Sequence, residues 1–293
     1  MDAPILLGTC SWNYESWVGL VYTSPKRRAV EYLAEYAEKY PTAEIDSWYY
    51  KIPTPSEAKQ YAEVTPPGFL FTCKVVQDIT VPFLREQGKL KTRNKSDRRS
   101  LQANPSFLSV DAFHRYCEGI QPLLPKLALI MLEFEYLNRE KMESLGRFLD
   151  LLGAFLGKIN RPCRIGVEIR NKNYLTQEYF SFLKDQDVEH VFSEKQYMPA
   201  VYEIYPKFKD LLGQYLIVRL LGGDREAIEK KTQGQWNRLI EEKPDKDKIV
   251  RMSLDAKYGG RTVILNVNNH YEGSAPLTIA SLSRLIAQME GSF

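Results

Sequence analysis

Eight short runs rich in β-branched and aromatic residues recur along this chain, and all but the sixth are followed directly by sequence with helical spacing. No Pro/Gly-rich linker and no short repeat breaks the series. The strand-like runs are predicted at about 5–10, 43–48, 69–75, 126–133, 164–171, 188–193, 214–221 and 262–268. Helical patterns are predicted near 27–39, 56–64, 105–122, 140–156, 177–184, 224–241, 246–257 and 277–289. Strands that alternate with helices build parallel sheets, because a parallel neighbour is reached only through a crossover. For 293 residues the economical α/β solution is one TIM-type (β/α)8 barrel, closed or nearly closed, forming a single domain over 1–293. A doubly wound open sheet is the alternative.

The strands share an asymmetry. In Arg164-Ile165-Gly166-Val167-Glu168-Ile169-Arg170-Asn171, the isoleucines and valine occupy one parity, and Gly166, Glu168 and Arg170 the other. Parallel strands are normally apolar on both faces, so a polar face with its charges late in the strand needs a use. The pattern recurs with Glu44 and Asp46, with Thr72 and Lys74, with Arg219, and with Asn266 and Asn268. In a barrel these side chains converge at the C-terminal mouth, where barrel enzymes place their catalytic groups. Buried ion pairs such as Glu168 with Arg219 would account for single members. The whole set is harder to explain as filling, since each buried charge carries a desolvation cost.

Composition excludes several classes. With 44% hydrophobic residues the chain can bury a large core, yet no apolar run approaches the roughly 18–20 residues of a membrane span. The N-terminus lacks a signal-peptide pattern. Cys10, Cys73, Cys117 and Cys163 stand singly, with no CxxC, as reduced thiols of a cytoplasmic protein would. His114, His190 and His270 are scattered, which argues against a histidine zinc site. No cofactor is expected; a divalent metal on Glu44, Asp46 and Glu168 is the weaker alternative. The net charge of +3 is uneven: residues 85–99 hold seven Lys/Arg against Glu86 and Asp97. The surrounding 85–104 stretch is therefore a basic loop insertion, either solvated or facing phosphate or nucleic acid.

Among the candidate groups, Glu44 and Glu168 are placed to act as an acid/base pair. Lys74, among carboxylates, is a general acid, an electrostatic clamp or, with a lowered pKa, a Schiff-base nucleophile. Trp12, Tyr14, Trp48, Tyr49 and Tyr50 form either a wall for stacking sugar rings or bases, or packing over the barrel top.

Gly8-Thr9-Cys10-Ser11-Trp12, with Tyr14 and Trp17, resembles the opening motif of domain of unknown function 72 (DUF72), the YecE-like family. The resemblance continues through Ala43-Glu44-Ile45-Asp46-Ser47-Trp48-Tyr49-Tyr50, Thr65-Pro66-Pro67 with Phe69, Phe71 and Lys74, and Gly166-Val167-Glu168-Ile169-Arg170. It extends to Val218-Arg219-Leu220 and Asn266-Val267-Asn268-Asn269. It implies a TIM-type barrel with a polar cleft at the strand ends, and no established reaction. The chain departs from the family pattern at Leu221, where a histidine is common, at Met131-Leu132-Glu133-Phe134, and at Asp46, where Asn is common.

Three readings follow. The first is an enzyme of hydrolase, lyase or isomerase type acting on a small polar, anionic or sugar-like molecule. Glu44, Lys74 and Glu168 would be catalytic, with Ser11, Trp12, Tyr14, Asp46, Tyr49, Arg170, Arg219, Asn266 and Asn268 binding the ligand. The second is a nucleic-acid-binding or processing protein using the 85–99 loop. The third is a non-catalytic binding barrel. The sequence leaves the oligomeric state open.

Overall fold

The computed structural model describes residues 3–84 and 102–291. Eight parallel strands close into one barrel in sequence order: β1 (Ile5–Cys10), β2 (Thr42–Ile45), β3 (Leu70–Lys74), β4 (Leu127–Glu133), β5 (Ile165–Glu168), β6 (Glu189–Lys195), β7 (Tyr215–Gly222) and β8 (Thr262–Val267). Closure is made by β1 alongside β8, with Leu6 opposite Ile264 and Gly8 opposite Asn266. The open-sheet alternative is excluded by this pairing. Around the barrel run α1 (Ala29–Tyr36), α2 (Pro55–Val64), α3 (Val110–Ile120), α4 (Leu145–Leu156), α5 (Gln177–Asp185), α6 (Val201–Phe208), α7 (Arg225–Thr232), α8 (Lys246–Tyr258) and α9 (Ala275–Glu290).

Helix starts follow local chemistry. The side chains of Thr54, Ser109, Ser144, Thr176 and Asp224 each accept a hydrogen bond from the backbone N–H three residues on, satisfying a donor the helix itself leaves free. Ser144 shortens the helix expected from 140 to one beginning at Leu145. The helix expected over 105–122 begins only at Val110, because Leu108 takes a left-handed φ of 50° just ahead of the Ser109 cap. The helix expected over 224–241 stops at Thr232, where Gln233 and Gly234 both turn to positive φ and end the hydrogen-bond ladder. Short α6, with Pro206 inside it, was not legible in the sequence.

Two apolar layers hold the structure. The larger lies between the outward strand faces and the helices, and includes Phe71, Tyr116, Phe148, Val167 and Leu282. Each such side chain contributes roughly 1.5–3 kcal/mol on burial. The smaller fills the lower barrel lumen with Ala128, Leu129, Met131, Val191, Ile217 and Ile264. Gly166 belongs to that layer, because a Cβ there would stand 2.8 Å from Val191 Cγ2 and 3.0 Å from Leu129 Cδ1. All four cysteines are free thiols. Among the described residues no helix is long and apolar enough to cross a membrane. Residues 85–101 of the basic insertion lie outside the described residues.

Candidate functional site

Above the apolar plug the lumen turns ionic. The inward parity of each strand runs from an aliphatic residue to a charged or amide one: Leu70, Thr72, Lys74 on β3, and Leu129, Met131, Glu133 on β4. Register then sets neighbours side by side, with Glu133 opposite Glu168 and Arg219 opposite Asn266. The result is four carboxylates (Glu44, Asp46, Glu133, Glu168) interleaved with three cations (Lys74, Arg170, Arg219), a sum of −4 + 3 = −1.

Arg219 is the hub, with its side chain only 3% exposed. Its Nε and Nη2 donate to Glu44 Oε2 and Oε1 at 2.6 and 2.7 Å, the bidentate fork a guanidinium favours. Its Nη1 donates to Glu133 at 3.0 Å and to Glu168 at 2.5 Å. Lys74 is bonded to Asp46, lies 3.0 Å from Glu133 Oε2 and 3.9 Å from Glu44 Oε1. Arg170 Nη2 lies 3.0 Å from Glu133 Oε1 and 2.8 Å from Glu168 Oε1.

The protonation states follow from this packing. Burial and the nearby Arg219 press the Lys74 pKa down, but Glu133, Asp46 and Glu44 outweigh both and hold it above the ordinary lysine value. The Schiff-base role is thereby corrected, since a nucleophilic lysine must shed its proton. Burial opposes ionisation of Glu133, yet Lys74, Arg219 and Arg170 keep its carboxyl well below the usual range. Asp46 is lowered in the same way, with Lys74 and Arg219 outweighing burial.

Not every bond is made. Glu168 Oε1, although 2.8 Å from Arg170 Nη2, accepts no hydrogen bond. Arg170 Nη1 and Asn266 Oδ1 are likewise buried without a partner, while Asn266 Nδ2 donates across the lumen to Thr72 Oγ1 at 2.9 Å. Orphaned buried polar groups cost about 1–3 kcal/mol each.

Other candidates sort by position. Tyr49 is half-buried at the rim, its ring 5.2 Å from Lys74 Nζ. The Tyr14 hydroxyl is near enough to Asp46 that burial and then this carboxylate push its pKa up. Ser11, the residue after β1, has a φ of 76°, a strained value for a residue with a side chain. Trp12 is a correction. Only 3% exposed, it packs edge-on against Tyr61 and Phe71 and donates Nε1 to Ala29 O, outside the lumen. Trp48, stacked on Tyr61, joins it there, so this half of the aromatic wall is packing, whereas Tyr50 is 67% exposed. Asn268 is also redirected: its Oδ1 accepts from the His270 backbone at 3.0 Å and faces the ring Nδ1 at 2.5 Å.

Glu133 was missed although it ends β4 on the same inward parity as Leu129 and Met131; that parity was the available signal. His270 was also passed over. Its Nε2 meets Glu229 Oε1 at 2.9 Å and its ring packs on Trp236, tying the segment after β8 to α7. Glu44, Asp46 and Glu168, weighed as metal ligands, are occupied by Arg219, Lys74 and Arg170. Among the described residues no group of three His, Cys, Asp or Glu is placed to hold a metal ion.

A family profile described as protein of unknown function DUF72 matches residues 6–292. The chain belongs to the DUF72 family. Solved structures agree on its fold. A DUF72 family protein from Enterococcus faecalis V583 is 18% identical, with a TM-score of 0.67 over 97% of this chain and 96% of that one. A DUF72 family protein from Thermotoga maritima MSB8, also 18% identical, gives a TM-score of 0.64 over 98% and 99%. No curated protein matches this DUF72 chain.

Proposed function

We propose that this DUF72 chain is an enzyme acting on a small polar ligand at the barrel mouth through its ionised carboxylates and the Lys74 ammonium. The observation that supports it most is the unmet bonding of Glu168 Oε1 and Arg170 Nη1 inside a charged network. A network serving stability alone gains by closing its own bonds. Glu168 and Arg170 are therefore assigned to ligand binding. Asp46, whose side chain is 36% exposed and the most open of the four carboxylates, stands beside Lys74 as the base or charge stabiliser. Glu44, both oxygens taken by Arg219, is a positioning residue with Arg219 rather than half of an acid/base pair.

The test is to incubate the full chain with a mixed pool of polar metabolites and follow the pool by NMR. The wild type should deplete a component that Asp46→Asn, checked to be folded by its melting temperature, leaves at least tenfold more slowly consumed. Equal depletion by both proteins sinks the assignment to this site, and no depletion by the wild type sinks the enzymatic reading.

A further inference from the structure

We infer that the ligand of the mouth is a neutral polyhydroxyl compound, a sugar or cyclitol, rather than an anion. The inference rests on the mouth being a ligand site, and it narrows the ligand by two independent observations. The first is charge. Each cation is already matched: Arg219 by Glu44, Glu133 and Glu168, Lys74 by Asp46 and Glu133, and Arg170 by Glu133 and Glu168. The seven groups sum to −1, so an entering phosphate or carboxylate meets no uncommitted positive charge among them. Lys195, exposed at the end of β6, stands outside these pairs and brings the sum to zero rather than to a positive value.

The second observation is the kind of atom left unpaired. Glu168 Oε1 is an acceptor and Arg170 Nη1 a donor, and the two belong to one ion pair. Glu168 is fully buried and Arg170 nearly so, so bulk water does not bathe either atom. A carboxylate or sulfate oxygen accepts only; it would answer Arg170 and press its lone pairs on Glu168. An ammonium donates only, answering Glu168 and leaving Arg170 unmet. A hydroxyl both donates and accepts, so one such group answers both. Asn266 Oδ1, also fully buried and unpartnered, offers a further acceptor for a second hydroxyl. At the rim, the exposed Tyr50 ring presents a flat apolar face of the sort that packs on sugar C–H groups.

The experiment uses the full chain in thermal-shift and saturation-transfer NMR titrations at constant ionic strength. One arm holds D-glucose, D-xylose, D-galactose and myo-inositol. The other holds inorganic phosphate, sulfate and acetate, and glucosamine serves as a cationic control. At least one neutral compound should bind saturably, with no anion binding beyond a matched chloride control. Arg170→Lys keeps the charge and removes the forked donors, and should weaken that binding at least tenfold in a folded protein. Glu168→Gln should do the same, and Arg170→Lys carries the test if the Glu168 variant does not fold. Phosphate or acetate binding lost in Arg170→Lys overturns the neutral-ligand inference while keeping the mouth as a site. Sugar binding unchanged in Arg170→Lys overturns the assignment to these atoms. No binding in either arm means that water alone meets the two atoms, and both the inference and the ligand-site reading fall.

Discussion

The two ends of the barrel lumen each bury a carboxylate beside an arginine, and they do so differently. At the lower end Glu189 Oε1 accepts from the backbone N–H groups of Gln214 and Tyr215 at 3.1 and 3.3 Å, with Arg164 Nη1 at 3.4 Å. Arg164 is partly in solvent and also donates to Gln214 Oε1 at 2.6 Å, with Asp187 Oδ1 at 3.6 Å. Burial outruns Arg164 here and raises the Glu189 pKa, and Glu189 Oε2 has no hydrogen-bond partner. At the mouth the charges outrun burial, and Glu133 and Asp46 are held ionised. An orphaned oxygen is thus not by itself the mark of a site. The mouth differs in setting an unpartnered acceptor beside an unpartnered donor within one ion pair.

The largest effect expected from this contrast is at the two arginines. Arg219→Met strands three buried carboxylates and should lower stability by about 3–5 kcal/mol. Arg164→Met, at a partly solvated pair, should cost about 0–1 kcal/mol. Urea midpoints measure both, and equal losses would erase the distinction between the ends.

Next in size are the two glutamates, whose pH dependences run in opposite senses. The folded pKa of Glu133 is depressed, so its contribution is present above the unfolded value of about 4.3 and is lost as pH falls through the folded pKa. Glu133→Gln should therefore destabilise at pH 7, by roughly 1.5–3 kcal/mol for a charged hydrogen bond, with the deficit shrinking in acid. The folded pKa of Glu189 is raised, so its favourable contribution is present below the unfolded pKa and lost as pH rises through the folded one. Glu189→Gln, which keeps the Oε1 acceptor, should be neutral or stabilising at pH 7, with any gain vanishing below about pH 4. Melting curves across pH 3–8 test the signs, and matching slopes for the two variants would contradict the opposed shifts.

The smallest contrast is at two glycines. A Cβ at Gly213 would lie 2.6 Å from both oxygens of Glu189, whereas one at Gly223, past the end of β7, meets nothing within 4 Å. Gly213→Ala should cost about 1–3 kcal/mol by overpacking. Gly223→Ala should be neutral or gain up to about 1 kcal/mol by restricting the unfolded chain. A drop in melting temperature for the first alone would bear this out.

Much of the mouth was legible because period two is a strict rule. In strands, Glu44, Lys74, Glu168, Arg219 and Asn266 fall on one face of the barrel wall, and the structure puts them there. Parity gave direction but not partners. Arg219 and Glu44, expected to work on a ligand, spend their bonding on each other, because a fork 175 residues away in sequence is invisible to a local pattern. Glu133 escaped because the block holding it was judged by its departure from the family motif rather than by its strand parity. Trp12 and Trp48 were ambiguous for a related reason: loop residues have no fixed period, so an aromatic side chain after a strand can turn over the mouth or back under a helix. Short α6 was lost because eight residues with an internal proline barely complete two turns.

The charged groups of the mouth lie on, or within two residues of, strands β2, β3, β4, β5 and β7, whereas Tyr49 and Tyr50 sit on the connection between β2 and α2. Framework and fittings are therefore separable. The lattice is drawn from five separate strands, so no single graft of contiguous sequence can transplant it into another barrel.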